Sequence, residues 1–332
     1  MPLPNYGLER LGVAFITLGH TSVLFFFVLS GFVLALKIFK HPPASYLSFQ
    51  LGRLARLLPP FACAMLLTLI LFVTMRSETF AKTGIQLTLW SADLSLPIFL
   101  RHIFLVGINE SDNTLNGPAW SLIYEVRVGF FIPIFCYLLS VIRLSHVLAA
   151  TALLYGIGQL ISSTVDLPNP PYTGGGTLLG SLGATIHYFC SFFVGCALAK
   201  ATLSKRDTWI RTPYLWLASC VLLVLGTWLR SDLTTSLACG SFIVIVLRGG
   251  PVTRLLQTYP AFWLGRLSYP LYLIHVPILY ALFHAFWDRA PSIYLSGLTL
   301  ILSLAGSAVM YVTVETWSIA LSRRFNGPRV AA

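Results

Sequence analysis

Apolar runs long enough to cross a membrane recur along this chain, and they constrain its fold more than any other feature. Nine stretches of roughly 20 residues lie near 15–38, 57–75, 120–142, 145–163, 180–199, 212–229, 233–248, 263–287 and 293–318, and about 20 residues is what a helix needs to span the hydrocarbon of a bilayer. They are continuous runs rather than one-sided stripes, so they do not read as helices of a soluble domain. Of 332 residues, 56% are hydrophobic and only 10% charged, whereas soluble domains carry about 25% charged residues. The expectation is an all-α fold: a polytopic transmembrane helical bundle of about nine spans.

The one long connection, 76–118, contains LSLPIFLRHIFLVG, which reads as an interfacial or re-entrant helix. A second loop, DLPNPPYTGGG, has the Pro and Gly content of turns. The net charge of +11 is not a nucleic-acid signature, because the basic residues cluster in short loops between spans. Of the 22 Lys and Arg, six (Arg10, Arg76, Lys82, Arg101, Arg230, Arg289) fall on one side and fifteen, from Lys37 to Arg329, on the other. By the positive-inside bias the richer side is cytoplasmic. This puts the C-terminus inside and, with nine spans, the N-terminus outside. The six cysteines, Cys63, Cys136, Cys190, Cys196, Cys220 and Cys239, mostly fall within apolar runs and read as packing residues. No spacing resembles a metal site, and HExxH, GxSxG and GxxxxGK[ST] are absent.

Against this background two acids stand out, Glu125 and Glu315, each in a run apolar enough to lie in lipid. A carboxylate there needs a buried partner, a water-filled cavity or a chemical role. The other nine acids can all be placed in loops or near membrane surfaces. Glu125 follows NGPAWSLIY, in which Ser121 and Glu125 share a helix face, as do Trp120 and Tyr124. Trp120 and Tyr124 suit an outer interfacial belt, with Glu125 about one turn deeper. A structural ion pair remains the alternative for Glu125. Arg53 and Arg56, in GRLARLLPPF, are three residues apart at the inner end of a span that begins at Pro59–Pro60. Two guanidiniums so spaced can clamp phosphates or simply anchor the helix at the inner surface. Ser268, Tyr272 and His275, at spacings of four and three, form a polar stripe that fits a cavity, although a lone intramembrane His is also a common packing residue.

Together, FFFVLSGFVLA, RLARLLPP, NGPAWSLIYE, LGRLSYPLYLIH and the closing YVTVETWSIALSRRF resemble the acyltransferase-3 family of integral membrane acyltransferases, over nearly the whole chain. The resemblance implies a membrane domain of roughly ten helices, placed at 1–325, with 326–332 as a short cytoplasmic tail, in a bacterial-type inner (cell) membrane. It implies transfer of an acyl group, commonly acetyl from acetyl-CoA or another acyl-CoA, to a hydroxyl of a surface polysaccharide or lipid-linked glycan. No permanently bound cofactor is implied; the partners are acyl-CoA, the glycan and the lipid bilayer.

The site residues that follow are His20, Glu125 and His275 for catalysis, and Arg53 and Arg56 for the phosphates of coenzyme A. Trp120, Ser121, Tyr124, Ser268, Tyr269, Tyr272 and Glu315 would line the substrate cavity. The family's first helix carries an Arg, ten residues and then a His that acts in acyl transfer. Here Arg10 and His20 have nine residues between them, and His20 lies five positions before Phe25. The expectation is therefore a chain starting without that first helix, with His20 the imidazole nearest its pattern. A transporter or flippase of a lipid-linked sugar is the rival reading, since it too needs intramembrane acids and a cavity.

Overall fold

The computed structural model describes residues 6–77, 90, 94–108, 114–142, 146–167, 171, 175–204 and 212–325. These form helices and connecting loops, with no strand among the described residues. In chain order α1 spans Tyr6–Lys40, α2 Tyr46–Met75 and α3 Leu96–Ile103. Next come α4, Ala119–Gly129; α5, Ile132–Val141; α6, Val147–Thr164; α7, Leu178–Leu203; α8, Thr212–Leu229; and α9, Asp232–Leu247. The short α10, Pro251–Leu256, precedes α11, Tyr259–Phe286, and α12, Ser292–Met310. A π-helical turn, Tyr311–Glu315, joins α12 to α13, Thr316–Phe325. The tail 326–332, the stretches 78–89, 91–93 and 109–113 of the 76–118 connection (Lys82 among them), Arg143, Lys205, Arg206, Arg211 and Arg329 lie outside the described residues.

Each of the nine expected runs is helical. Among the described residues five helical segments are long and apolar enough to cross a membrane, or six if α4 and α5 form one broken span. The shorter apolar helices include α9, whose 16 residues rise only about 24 Å, less than the ~30 Å hydrocarbon core. Large apolar side chains stay exposed on the outer faces, such as Ile70 and Val73 on α2 and Leu300 and Ile301 on α12. Contiguous exposure of this kind suits lipid rather than water.

Three boundaries differ from the expectation. The run 120–142 breaks at Phe130–Phe131, where the helix axis turns by 50°; Gly129 ends α4, and a proline, Pro133, sits in the first turn of α5. The segment LSLPIFLRHIFLVG holds only the eight-residue α3. The two prolines of RLLPPF do not start a span. α2 begins thirteen residues earlier at Tyr46, and Ser45 caps it through reciprocal bonds with Ser48, at 3.1 and 3.2 Å.

The residues form two compact units. In the first, α1 and α7 cross with their backbones touching. A Cβ on Gly31 would lie 2.2 Å from the Phe192 carbonyl oxygen, and one on Gly195 2.0 Å from that of Val28. Phe27 stacks on Phe192 with ring centroids 4.7 Å apart. Lipid supplies no hydrophobic drive for helix association, so close packing through small residues holds such contacts. In the same unit the tight α8–α9 connection carries Arg230 at φ 48°, and Ser231 caps α9. In the second unit α2, α4, α11 and α12 enclose a core of Phe61, Met65, Trp90, Leu122 and Leu273.

Candidate functional site

The second unit gathers most of the expected residues, and the two prolines of α2 explain part of the arrangement. Proline has no N–H, so Pro60 leaves the carbonyl of Arg56 without its helical donor. The Ser318 hydroxyl of α13 donates to that carbonyl at 3.3 Å, and the Tyr269 hydroxyl donates to the neighbouring Leu57 carbonyl at 2.8 Å. The interrupted turn thus ties α2 to α11 and α13, as buried backbone in lipid requires. Arg53 lies one turn before it and donates from Nη2 to the Glu125 carbonyl at 3.1 Å. Arg56 is exposed.

Asn116, fully buried, donates from Nδ2 to the Leu273 carbonyl at 3.1 Å and so fixes the turn into α4 against α11. Ser121 and Tyr272 pair through their hydroxyls at 2.7 Å, and each also reaches the Pro118 carbonyl at 3.2 Å. Trp120 packs edge-on against Tyr124, with centroids 6.3 Å apart. Tyr124 is fully buried, so it is a core residue and not part of an interfacial belt. Glu125, the next residue of α4, is 5% exposed.

Glu315 ends the π-turn and is 4% exposed. Its Oε2 has no hydrogen-bond partner among the described residues. Such turns place one more residue in the helical circuit and cluster at functional sites. Glu125, Glu315 and Arg56 all lie within electrostatic range of Tyr269, whose hydroxyl is held by the Leu57 carbonyl. The Nδ1 of His275 lies 3.1 and 2.9 Å from the Leu271 and Tyr272 carbonyls. Carbonyls only accept, so Nδ1 carries the hydrogen and the neutral ring keeps its lone pair on Nε2. Ser268 departs from the expected stripe: it is exposed and donates to the Gly265 carbonyl of its own helix at 2.7 Å. A cavity of about 450 Å³ in this unit is walled by apolar side chains such as Leu67, Ile278 and Val309, and none of the expected residues lines it.

His20 belongs to the first unit. Its Nε2 lies 2.9 Å from Asp232 Oδ1, and His187 Nε2 lies 2.9 Å from Asp232 Oδ2. Sequence reasoning missed this cluster. Asp232 is one of the nine acids read as lying in loops or near membrane surfaces; it is buried, 4% exposed, at the first position of α9. The signal available was an acid and a His inside or beside apolar runs. Their pairing spans 45 and 212 residues, and no local spacing shows that.

The model of the acyltransferase-3 family, described as an acyltransferase domain, matches residues 2–312. The chain belongs to that family, and it is a multi-pass membrane acyltransferase. No curated protein and no solved structure matches the chain.

Proposed function

We propose that the chain transfers an acyl group, acetyl in the first instance, from acyl-CoA to a hydroxyl of a surface polysaccharide or lipid-linked glycan. Convergence of charge in the second unit carries this reading: paired arginines on α2 beside two buried acids and a hydroxyl pair. Arg53 and Arg56 hold the phosphates of coenzyme A. Glu125 and Glu315 orient polar groups of the acceptor, and the lone pair on His275 Nε2 accepts from one of its hydroxyls. Trp120, Ser121, Tyr124, Tyr269 and Tyr272 shape the acceptor's surroundings, with Tyr124 acting from within the core. By the family pattern His20 is assigned as the base. A base takes the acceptor's hydroxyl proton as oxygen attacks the thioester carbonyl; the C–S bond breaks, and the proton passes to the leaving thiolate. Residues 1–325 form the catalytic membrane domain.

Turnover tests the reading. Purified protein in lipid, given acetyl-CoA and a glycan acceptor, is expected to release free thiol with acceptor-dependent acetylation. Arg56→Ala is expected to raise KM for acyl-CoA roughly tenfold, about 1.4 kcal/mol, with the fold retained. Arg53 also supports α4 through the Glu125 carbonyl, so its loss affects folding as well as donor use. Donor binding without turnover would favour a carrier of lipid-linked sugars, and an unchanged KM would return Arg56 to an anchoring role.

The same reading places the protein in a bacterial inner membrane with its C-terminus in the cytoplasm. Arg323 and Arg324 in the last turn of α13 support that orientation through the positive-inside bias. A reporter fused after Arg329 is expected to behave as cytoplasmic, and a periplasmic signal would reverse the assignment.

A further inference from the structure

We propose that an apolar groove between α2, α11 and α12 seats the alkyl chain of the donor's acyl group, so that the protein takes acyl groups longer than acetyl. The inference rests on the acyltransferase reading above and extends its donor. The groove is the cavity of about 450 Å³, and all three walls belong to the second unit. Residues at every third or fourth position line it, from Cys63 to Met75 on α2, Ile274 to Leu282 on α11 and Leu302 to Thr313 on α12. That spacing turns one face of each helix inward, so the space runs along the helices, for about 18 Å on α2.

The walls specify hydrocarbon. Apolar side chains supply nearly all of the lining, and the Thr313 hydroxyl is spent on the Val309 carbonyl of its own helix, at 2.8 Å. Water would find too few partners in such a space, whereas an alkyl chain restores dispersion contacts at no polar cost. Gly306 keeps the room open: a Cβ there would already come within 3.0 Å of the Ile274 Cδ1. Leu302 and Val309 are exposed, so one edge of the groove faces the bilayer, and a chain too long for it continues into lipid.

Charge at one end selects the occupant. Ser318 of α13 meets the Arg56 carbonyl, and Tyr269 of α11 meets that of Leu57. The helices therefore bring Cys63, Ile274 and Thr313 to the end nearer Arg56, and Met75, Leu282 and Leu302 to the far end. Arg56 precedes Cys63 by two turns on the same face of α2, a rise of about 10 Å, and Glu315 follows Thr313 by two residues. The groove thus leads from a guanidinium, through a charged zone, into hydrocarbon. An acyl-CoA has the same order: phosphates, a polar arm, the thioester and then the alkyl chain. Seating that chain makes and breaks no bond, and the transfer step stays as given above.

Two measurements on the full chain in lipid nanodiscs test this. The first compares kcat/KM for acetyl-, octanoyl- and palmitoyl-CoA by thiol release. Each methylene moved from water to an apolar wall favours binding by up to about fourfold, and ordering the chain offsets part of this. Octanoyl-CoA is therefore expected to exceed acetyl-CoA by about a hundredfold. Gly306→Leu fills the groove beside Ile274 and is expected to lower the octanoyl-to-acetyl ratio tenfold or more. Met75→Trp, at the far end, is expected to lower the palmitoyl-to-octanoyl ratio. Equal use of acetyl and octanoyl by the wild type, or ratios that neither variant moves, would overturn the proposal.

The second measurement needs neither turnover nor a variant. Cys63 lines the groove, whereas Cys220 is an exposed free cysteine of the first unit. S-octyl-CoA, a thioether with no transferable acyl group, is expected to slow labelling of Cys63 by a lipid-soluble maleimide fivefold or more, read by mass spectrometry. S-methyl-CoA is expected to leave Cys63 reactive, and neither compound should slow Cys220. An S-octyl-CoA that leaves Cys63 unprotected would overturn the proposal, as would protection by a lipid-linked glycan alone, which would give the groove to the acceptor's tail. Protection of Cys63 by S-octyl-CoA in a protein without turnover would support the groove and count against the acyl-transfer reading. Acetyl transfer with no protection and no chain-length preference would do the reverse.

Discussion

Gly31→Ala is expected to cost the protein most of its folded yield. The new methyl group would sit 2.2 Å from the Phe192 carbonyl oxygen and 2.9 Å from its carbon, and backbone cannot swing aside as a side chain can. α1 and α7 would have to separate, loosening the stack of Phe27 on Phe192 and its edge contact with Tyr188. Overpacking in cores costs about 1–3 kcal/mol, and a clash between two backbones belongs at the upper end. Gly195→Ala meets the Val28 carbonyl from the other side and is expected to behave alike. Gly156→Ala is the control, because nothing lies within 4 Å of its Cβ position; removing a helical glycine there is expected to stabilise by up to about 1 kcal/mol. Thermal unfolding in detergent, followed by the monodisperse fraction, reads all three. A Gly31→Ala protein that melts like wild type would show that the α1–α7 contact is looser than described.

His20→Ala is expected to reduce acyl transfer on the order of 100- to 10,000-fold, the range for loss of a general base, while the protein stays folded. The substitution removes an imidazole that retains solvent exposure and leaves Asp232 its bond to His187, so the cluster keeps an anchor. The discriminating measurement is kcat alongside the unfolding temperature. A fall in both together would mark His20 as structural. Unchanged turnover would shift the base to another group, with His275 and its open Nε2 next in line.

Much of the fold was legible because lipid leaves the chain so few options. Each apolar run became a helix, and the polar residues NGPAWSLIYE and SYPLYLIH supplied the Ser121–Tyr272 bond and the charged surroundings of Tyr269. The boundaries were harder. Pro59 and Pro60 look like a helix start, yet α2 runs through them because Ser318 replaces the missing donor from a helix 262 residues away. Gly129 and Pro133 did announce the break between α4 and α5, but the apolar pattern on either side hid it. Asp232 escaped notice for a related reason. An acid beside Arg230 and Ser231 resembles loop chemistry, and its two histidines are visible only once α1 and α7 are packed around it.

The π-turn at Tyr311–Glu315 has a consequence for how this stretch tolerates change in length. Each residue of a regular helix turns the chain by about 100°, but the π-turn fits one more residue into its circuit. Deleting one residue between Tyr311 and Glu315 is therefore expected to restore a regular helix and leave the helix beyond nearly in phase, with Ser318 still facing the Arg56 carbonyl. Deleting Trp317, in the regular α13, removes no spare residue: everything beyond would rotate by that angle, carrying Ser318 away from its acceptor. The irregular turn thus acts as a length buffer, where the loss of a codon is tolerated that one turn further on is not.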